Sequence, residues 1–447
     1  MPDSWGKFRG LVHSTNTRFI RVFEEMEALS KQKIYALFFV LTFALAAPVI
    51  LAHELHGDDT RYYHKDLAIF QDRAETILDG DMIYRDTDHV TLTPPLINYL
   101  FIPAVLLGNT PLIWTLWFAF FIFTSSVILY HILHSIYEKK FALAGSIFFI
   151  VSPFSHYTTV NMMQDDAIIV SFLLLAFLFM MRKSWYKASV VFGFGAMTKV
   201  FPALCAPLAV LGPTTWKGRI AVAAIGLGIG VLVTLPFLIY ATEEFLQFLN
   251  FYLTGQQPAS GAQLSETVSN IDQRGMSFWR FLGEYVVYIP STYLHVVFVS
   301  FIALTWVAAL MKKIETIPAF TLCILWIFIF YSKIHYGYHL MIFSLLIPWA
   351  LPHPKRMISL GGLGFFLIFI HRMWRKTSIF NTIGPVQMAF ASVMWVFWIY
   401  WAAIVVKNRK NDFSLPEECT STSILVVSYF TLICVGYYAL SMVVILL

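Results

Sequence analysis

Charge is what this chain is short of. Only 13% of its 447 residues are charged, against 58% that are hydrophobic, and the mean hydropathy is +0.69. A soluble core of this size has no use for so much apolar residue, which excludes a soluble domain for most of the length. Many windows instead reach the length that crosses a bilayer. Cysteine is scarce too. Cys205, Cys323, Cys419 and Cys434 lie mostly in apolar segments without CxxC spacing, which excludes a disulfide framework and a cysteine-bound metal. No regular repeat, low-complexity run or soluble nucleotide-binding domain interrupts the pattern. The net charge of +5 is modest, and no nucleic-acid partner is expected.

A large share of the acids collects in residues 52–95, between two very apolar regions. This stretch carries Asp58, Asp59, Asp66, Asp72, Asp79, Asp81, Asp86 and Asp88. Each ionisable group would cost several kcal/mol in lipid, so the stretch belongs in water at a membrane surface. Within it, Leu67, Phe70, Ala74, Ile77 and Leu78 recur at helical spacing, and Asp79-Gly80 is a stop signal. The pattern predicts an amphipathic helix over 67–78 lying flat on the bilayer, apolar side down. Asp66 falls in its first turn, and Arg73 follows near the same face.

Apolar segments fall near 34–51, 111–131, 141–155, 166–181, 187–199, 200–211, 219–240, 291–311, 317–332, 338–351, 357–371, 384–406 and 423–446. Residues 95–108 are too short to cross and are expected to be re-entrant or interfacial. With that choice, the lysines and arginines of the N-terminus and of most connecting turns fall on one side, the cytoplasmic one. The expectation is an all-α polytopic bundle with about 13 crossings. Residues 1–33 form a cytoplasmic amphipathic lead-in, and 34–447 form one membrane domain. Segments 187–199 and 200–211 read as half-helices meeting at Lys199 and broken by Pro202. The outer side then gathers 52–95, 156–166, Lys199, the long loop 242–290, and the turns 332–339 and 371–378.

Each candidate residue has a plain structural reading beside a functional one. Asp66 is either a helix N-cap or a general base in a cleft above the bilayer. Asp165 and Asp166 begin an apolar helix, where capping and the helix dipole account for one acid but not two. Carboxylates of this kind also leave a divalent metal open, although no metal ligand is assigned and no cofactor is certain. Lys199 either snorkels to the interface or supplies a point charge for a phosphate. Lys333, His335, Tyr336, Tyr338 and His339 combine features of an aromatic belt with an unusual density of cationic donors. His371, Arg372, Arg375 and Lys376 cluster on the side that should be poor in cations, which suggests an anionic ligand.

These pieces together resemble the GT-C superfamily of membrane glycosyltransferases. The first outer stretch reads Asp66…Asp79-Gly80-Asp81-Met82-Ile83-Tyr84-Arg85-Asp86…Pro94-Pro95-Leu96. It is similar to the family's acid after the first span, followed by a Y-R-D box and a "PPL" opening of the next helix. Gln164-Asp165-Asp166 followed by Gly193, Gly195, Lys199 and Pro202 is similar to the mid-chain "Q-x-D … K-x-x-P" layout. Residues 333–340 resemble the "K-x-H-P-Q-Y" turn, with Tyr336-Gly337 in place of Pro-Gln. The similarity is greatest to polyprenyl-phosphate-mannose-dependent mannosyltransferases. It implies transfer of one sugar, mannose by that branch, from a polyprenyl-phosphate donor to a hydroxyl of a lipid-linked or glycan acceptor, within membrane lipid. The implied location is the non-cytoplasmic face of a prokaryotic plasma membrane or a eukaryotic endoplasmic reticulum membrane. In this reading Asp66 is the base, and Lys199, Lys333, His335, His339, Arg372 and Arg375 meet the donor. Tyr84, Arg85, Asp86, Asp165 and Asp166 shape the sugar and acceptor pockets. The alternative is a multi-pass lipid or small-molecule transporter or flippase, since broken helices and buried charges mark those proteins too.

Overall fold

A computed structural model of the protein describes residues 2–56, 65–88, 91–247, 277–287, 289–331, 334–376, 384–410 and 420–446. Among them there is no strand. The helices in chain order are α1 (Pro2–Glu27), α2 (Lys31–His56), α3 (Lys65–Leu78), α4 (Pro95–Tyr99), α5 (Ile102–Leu106), α6 (Pro111–His134), α7 (Lys139–Val151), α8 (Pro153–His156), α9 (Asp166–Met181) and α10 (Trp185–Ala196). They continue as α11 (Ala206–Leu211), α12 (Trp216–Tyr240), α13 (Phe278–Tyr285), α14 (Ser291–Leu310), α15 (Thr316–Phe330), α16 (His339–Ala350), α17 (Pro354–Lys376), α18 (Gly384–Lys407) and α19 (Ser421–Leu446). Asp58, Asp59, Lys333 and residues 248–276 of the long loop lie outside the described residues.

Local chemistry sets the boundaries. Thr110 caps α6, its hydroxyl accepting from the Ile113 N–H, with Pro111 at the first helical position. Thr215 caps α12 in the same way through Gly218. The run after α10 breaks at 197–200 and resumes as a 3-10 turn, Phe201–Leu204, before α11. Pro202 has no N–H to continue an α-helix there.

Every apolar segment expected from the sequence is helical. Among the described residues, six helices are fit by length and composition to cross a membrane, or seven when the pair bent by 48° at Ser152 is one span. The other segments, including Asp166–Met181 and Thr316–Phe330, are shorter apolar helices, so helix length alone does not establish the count of about 13. The core lies where α6, α7, α9, α15 and α16 meet, around Phe148, Phe149, Phe154 and Phe177. The N-terminal helix α1 docks on α7 and α19. Lys139 donates to the Glu27 and Leu29 carbonyls at its end.

One expectation is corrected. The helix over 67–78 exists as α3, but its apolar face does not lie on lipid. Leu67, Phe70 and Ala74 are buried against Ile97, Phe101 and Ala104 of the α4–α5 segment and against Trp114 and Phe118 of α6. Phe70 stacks on Phe101 at 4.5 Å. The stripe is covered by protein because the short apolar helices α4 and α5 lie directly beneath it. Each large apolar side chain buried in this way contributes roughly 1.5–3 kcal/mol. Asn109 locks the arrangement from the side. Its Oδ1 accepts from Gln71 and Trp114, and its Nδ2 donates to Glu75.

Candidate functional site

The packing of α3 fixes where Asp66 can be. The helix starts at Lys65, so Asp66 is a first-turn residue rather than the N-cap. Facing it is the start of α9, and the chain arrives there by an unusual route. A π-helical turn spans Tyr157–Asn161, and Met163, fully buried, has φ 48°. A π turn followed by a left-handed methionine is a strained path, of a kind that persists where surrounding structure holds it and that clusters at functional sites. It aims the next side chain outward from the helix axis. The Gln164 amide donates through Nε2 to Asp66 Oδ2 at 2.8 Å and to the Met162 carbonyl at 3.2 Å.

The two acids that follow are not spent on capping. Asp165 occupies the N-cap of α9 but makes no side-chain cap hydrogen bond. Instead Lys199 donates to Asp165 Oδ1 at 3.4 Å and to Asp166 Oδ1 at 3.1 Å. Lys199 does not snorkel: its side chain is 8% exposed, and that of Asp166 is 2% exposed. Its ammonium also lies 4.3 Å from the centre of the Tyr338 ring. The break at 197–200 delivers this lysine, and the Met197 carbonyl there accepts from the Leu96 N–H at the head of α4. The broken helix and the head of α4 therefore meet through the backbone next to Lys199. Asp66 is close enough to Asp166 to repel it electrostatically.

The turn Tyr336–Tyr338 closes over this group. Gly337 sits against Asp166 so closely that a Cβ there would fall 1.7 Å from Oδ2. His339, expected as a donor to phosphate, is 2% exposed. Its Nδ1 donates to the Tyr336 carbonyl, and its ring stacks on Trp398, so it holds the turn in place. His335 is exposed, with its ring edge-on to Tyr338.

Tyr84, Arg85 and Asp86 form a neighbouring unit. The Tyr84 ring packs edge-on to Phe237 and Phe245, and its hydroxyl donates to the Thr93 carbonyl. Arg85 pairs with Asp86 at 2.9 Å and reaches the Tyr240 carbonyl. The Arg85 hydrogen bond, with help from the Met82 N–H, holds the Asp86 carboxyl below its ordinary value. The unit adjoins Lys199 through Val200, which packs against the same cluster. Arg372 and Arg375 are not on a turn, as 371–378 had suggested. The helix continues to Lys376, so they stand three residues apart on the end of α17. Among the described residues, no three His, Cys, Asp or Glu side chains are grouped to hold a metal ion. The cation between Asp165 and Asp166 is the Lys199 ammonium.

Sequence reasoning passed over Gln164 and Gly337 as individual residues. Their places in the Gln164-Asp165-Asp166 run and in the 333–340 turn, where Tyr336-Gly337 stands in place of Pro-Gln, are a signal of a kind, but the contacts that matter are to residues far away in the chain.

Residues 92–332, more than half of the chain, match the profile of glycosyltransferase family 87. The match includes Asp165, Asp166 and Lys199, and Asp66 precedes it. No curated protein matches the chain. Among solved structures, the fold is similar to the crystal structure of ArnT from Cupriavidus metallidurans bound to undecaprenyl phosphate. The identity is 13%, the alignment covers 92% of this chain and 78% of that chain, and the TM-score is 0.49.

Proposed function

The chain belongs to glycosyltransferase family 87, and from that premise we propose that it transfers one sugar, mannose, from a polyprenyl-phosphate carrier to a hydroxyl of a lipid-linked acceptor. The protein is a membrane glycosyltransferase, in keeping with the GT-C resemblance of its motifs. The observation that carries the finer reading is the Asp66 carboxylate, fixed by Gln164 beside the buried Lys199–Asp165–Asp166 group.

Three chemical needs are met there. The acceptor hydroxyl must lose a proton as it attacks, and Asp66 is the base that accepts it. The sugar passes through a state with oxocarbenium-like positive charge, which nearby carboxylates stabilise. Asp165 and Asp166 supply that charge and accept hydrogen bonds from sugar hydroxyls. The phosphate leaving group needs cations as negative charge builds. Lys199 lies at the site, but two carboxylates already hold its charge, so Arg372 and Arg375 are proposed to complete the phosphate clamp.

A carrier lipid also needs a way in. Short α11 packs between α12 and α14. These two helices expose rows of large apolar side chains, Leu227, Val231 and Leu232 on α12 and Val296 and Leu304 on α14. A prenyl tail is proposed to lie along these side chains and to bring its phosphate toward the break at Lys199. No nucleotide is needed, since the donor arrives on lipid. The site opens on the non-cytoplasmic side, as the placement of lysine and arginine favours. The test is to incubate the purified protein with a panel of radiolabelled polyprenyl-phosphate sugars and membrane lipids. Labelled mannolipid from polyprenyl-phosphate mannose supports the reading. No product from any lipid donor, with product from a nucleotide sugar, overturns it.

A further inference from the structure

We infer that Gln164 is a positioning residue for the transfer, which holds the Asp66 carboxylate in its productive orientation through the 2.8 Å hydrogen bond from Nε2 to Oδ2. The inference rests on the reading of Asp66 as the base.

The orientation of the amide follows from its partners. Nε2 approaches a carboxylate oxygen at 2.8 Å and the Met162 carbonyl at 3.2 Å. Both are acceptors, and only the NH2 end has two hydrogens to give. A flipped amide would set its carbonyl against both, so the donor end must face Asp66. The backbone leaves the side chain little choice. The Gln164 N–H donates to the Thr158 carbonyl at 3.3 Å, across the π turn, and Met163 before it is fully buried with φ 48°. A non-glycine residue in that conformation costs on the order of 1–3 kcal/mol and persists only where its surroundings over-determine it. The carboxylate is thus gripped from α9 while its own backbone belongs to α3, a helix whose apolar face is clamped against α4 and α5.

Gripping one oxygen matters chemically. A carboxylate on an aspartate can rotate about its terminal torsion, which is broad. A donor on Oδ2 fixes the plane and so fixes the direction in which the carboxylate accepts the acceptor's proton. Misplacement of a catalytic group by about 1 Å can cost about 10²-fold in rate. Gln164 need not touch either substrate for this effect.

The test compares Gln164→Leu, Gln164→Glu, Asp66→Asn and the double variant Asp66→Asn/Gln164→Leu, each in the full-length protein in detergent or nanodiscs. Gln164→Leu should lower kcat by about 10–100-fold, with KM for the polyprenyl-phosphate sugar and for the acceptor unchanged. The double variant should be no slower than Asp66→Asn alone, because a residue acting through another has nothing left to act on. Gln164→Glu supplies a donor only while protonated. Its kcat should approach that of wild type at acid pH and fall as pH rises, when two carboxylates face each other. A Gln164→Leu effect that multiplies with Asp66→Asn, or that appears in KM, overturns the inference. So does a Gln164→Glu enzyme with the wild-type pH profile. If Gln164→Leu fails to fold, the Gln164→Glu pH profile decides the matter alone. Full activity of Asp66→Asn overturns the reading of the base itself, which the Gln164 results by themselves do not touch.

Discussion

Gly337 lies against Asp166 so closely that a single added methyl would stand 1.7 Å from the carboxylate oxygen. No L side chain fits without moving the acid or the turn. Gly337→Ala should therefore lower transfer sharply, because the displaced acid is one of two that hold Lys199. Overpacking of this kind costs about 1–3 kcal/mol, so a lowered Tm should accompany the loss. Wild-type turnover and Tm in the purified variant would show that the turn yields freely.

Asp66→Asn should abolish transfer while expression and donor binding stay near normal. Asparagine keeps the shape, and its amide oxygen can still accept the Gln164 hydrogen bond. General-base catalysis is worth roughly 10²–10⁴-fold, and a loss of that size in single-turnover assays is expected. A variant that keeps more than about a tenth of wild-type turnover falls short of that catalytic range and moves the base to Asp165, Asp166 or Asp86.

Lys199→Met leaves Asp165 and Asp166 buried without their ammonium. Removing one partner of a buried ion pair costs about 3–5 kcal/mol. The variant should unfold at a clearly lower temperature in detergent. Adding Asp166→Asn to it should recover much of the stability and none of the activity. Equal Tm values for wild type and Lys199→Met would mean that the pairing contributes nothing to the fold.

Replacing Arg372 and Arg375 by alanine should raise KM for the donor, with the protein still inserted and folded. The reason is the cluster of cations at the end of α17, on the side that the topology expected from the sequence leaves poor in cations. A donor titration reads the effect. Unchanged KM and kcat would reduce the two arginines to membrane anchors.

How much of this was legible beforehand depends on the distance over which each signal acts. Helical periodicity is local, so the stripe Leu67, Phe70, Ala74 announces α3 and even its boundaries to within a few residues. What covers that stripe is not local. Lipid and the α4–α5 segment satisfy the same hydropathy, and only the fold distinguishes them. Composition exposes Lys199 as costly, and its partners could be guessed because Asp165 and Asp166 are equally costly. Gly337 and Gln164 carry no such cost. Their roles come from contacts with Asp166 and Asp66, long intervals away in the chain. The end of α17 was placed too early because histidine and arginine look like a loop, although both are tolerated in a helix.

A backbone hydrogen bond joins the head of α4 to the Lys199 break, from the Leu96 N–H to the Met197 carbonyl. A segment that dips into the bilayer answers to the hydrocarbon thickness around it, and mismatch with thinner or thicker lipid is relieved by tilt and local adjustment. If α4–α5 dips in this way, the candidate group, with Lys199 tethered to α4 and α3 packed on the pair, rides on the bilayer's dimensions. Acyl-chain length is then a rate variable for the proposed transfer. Turnover in nanodiscs of graded phosphatidylcholine chain length should peak at one thickness and fall on both sides.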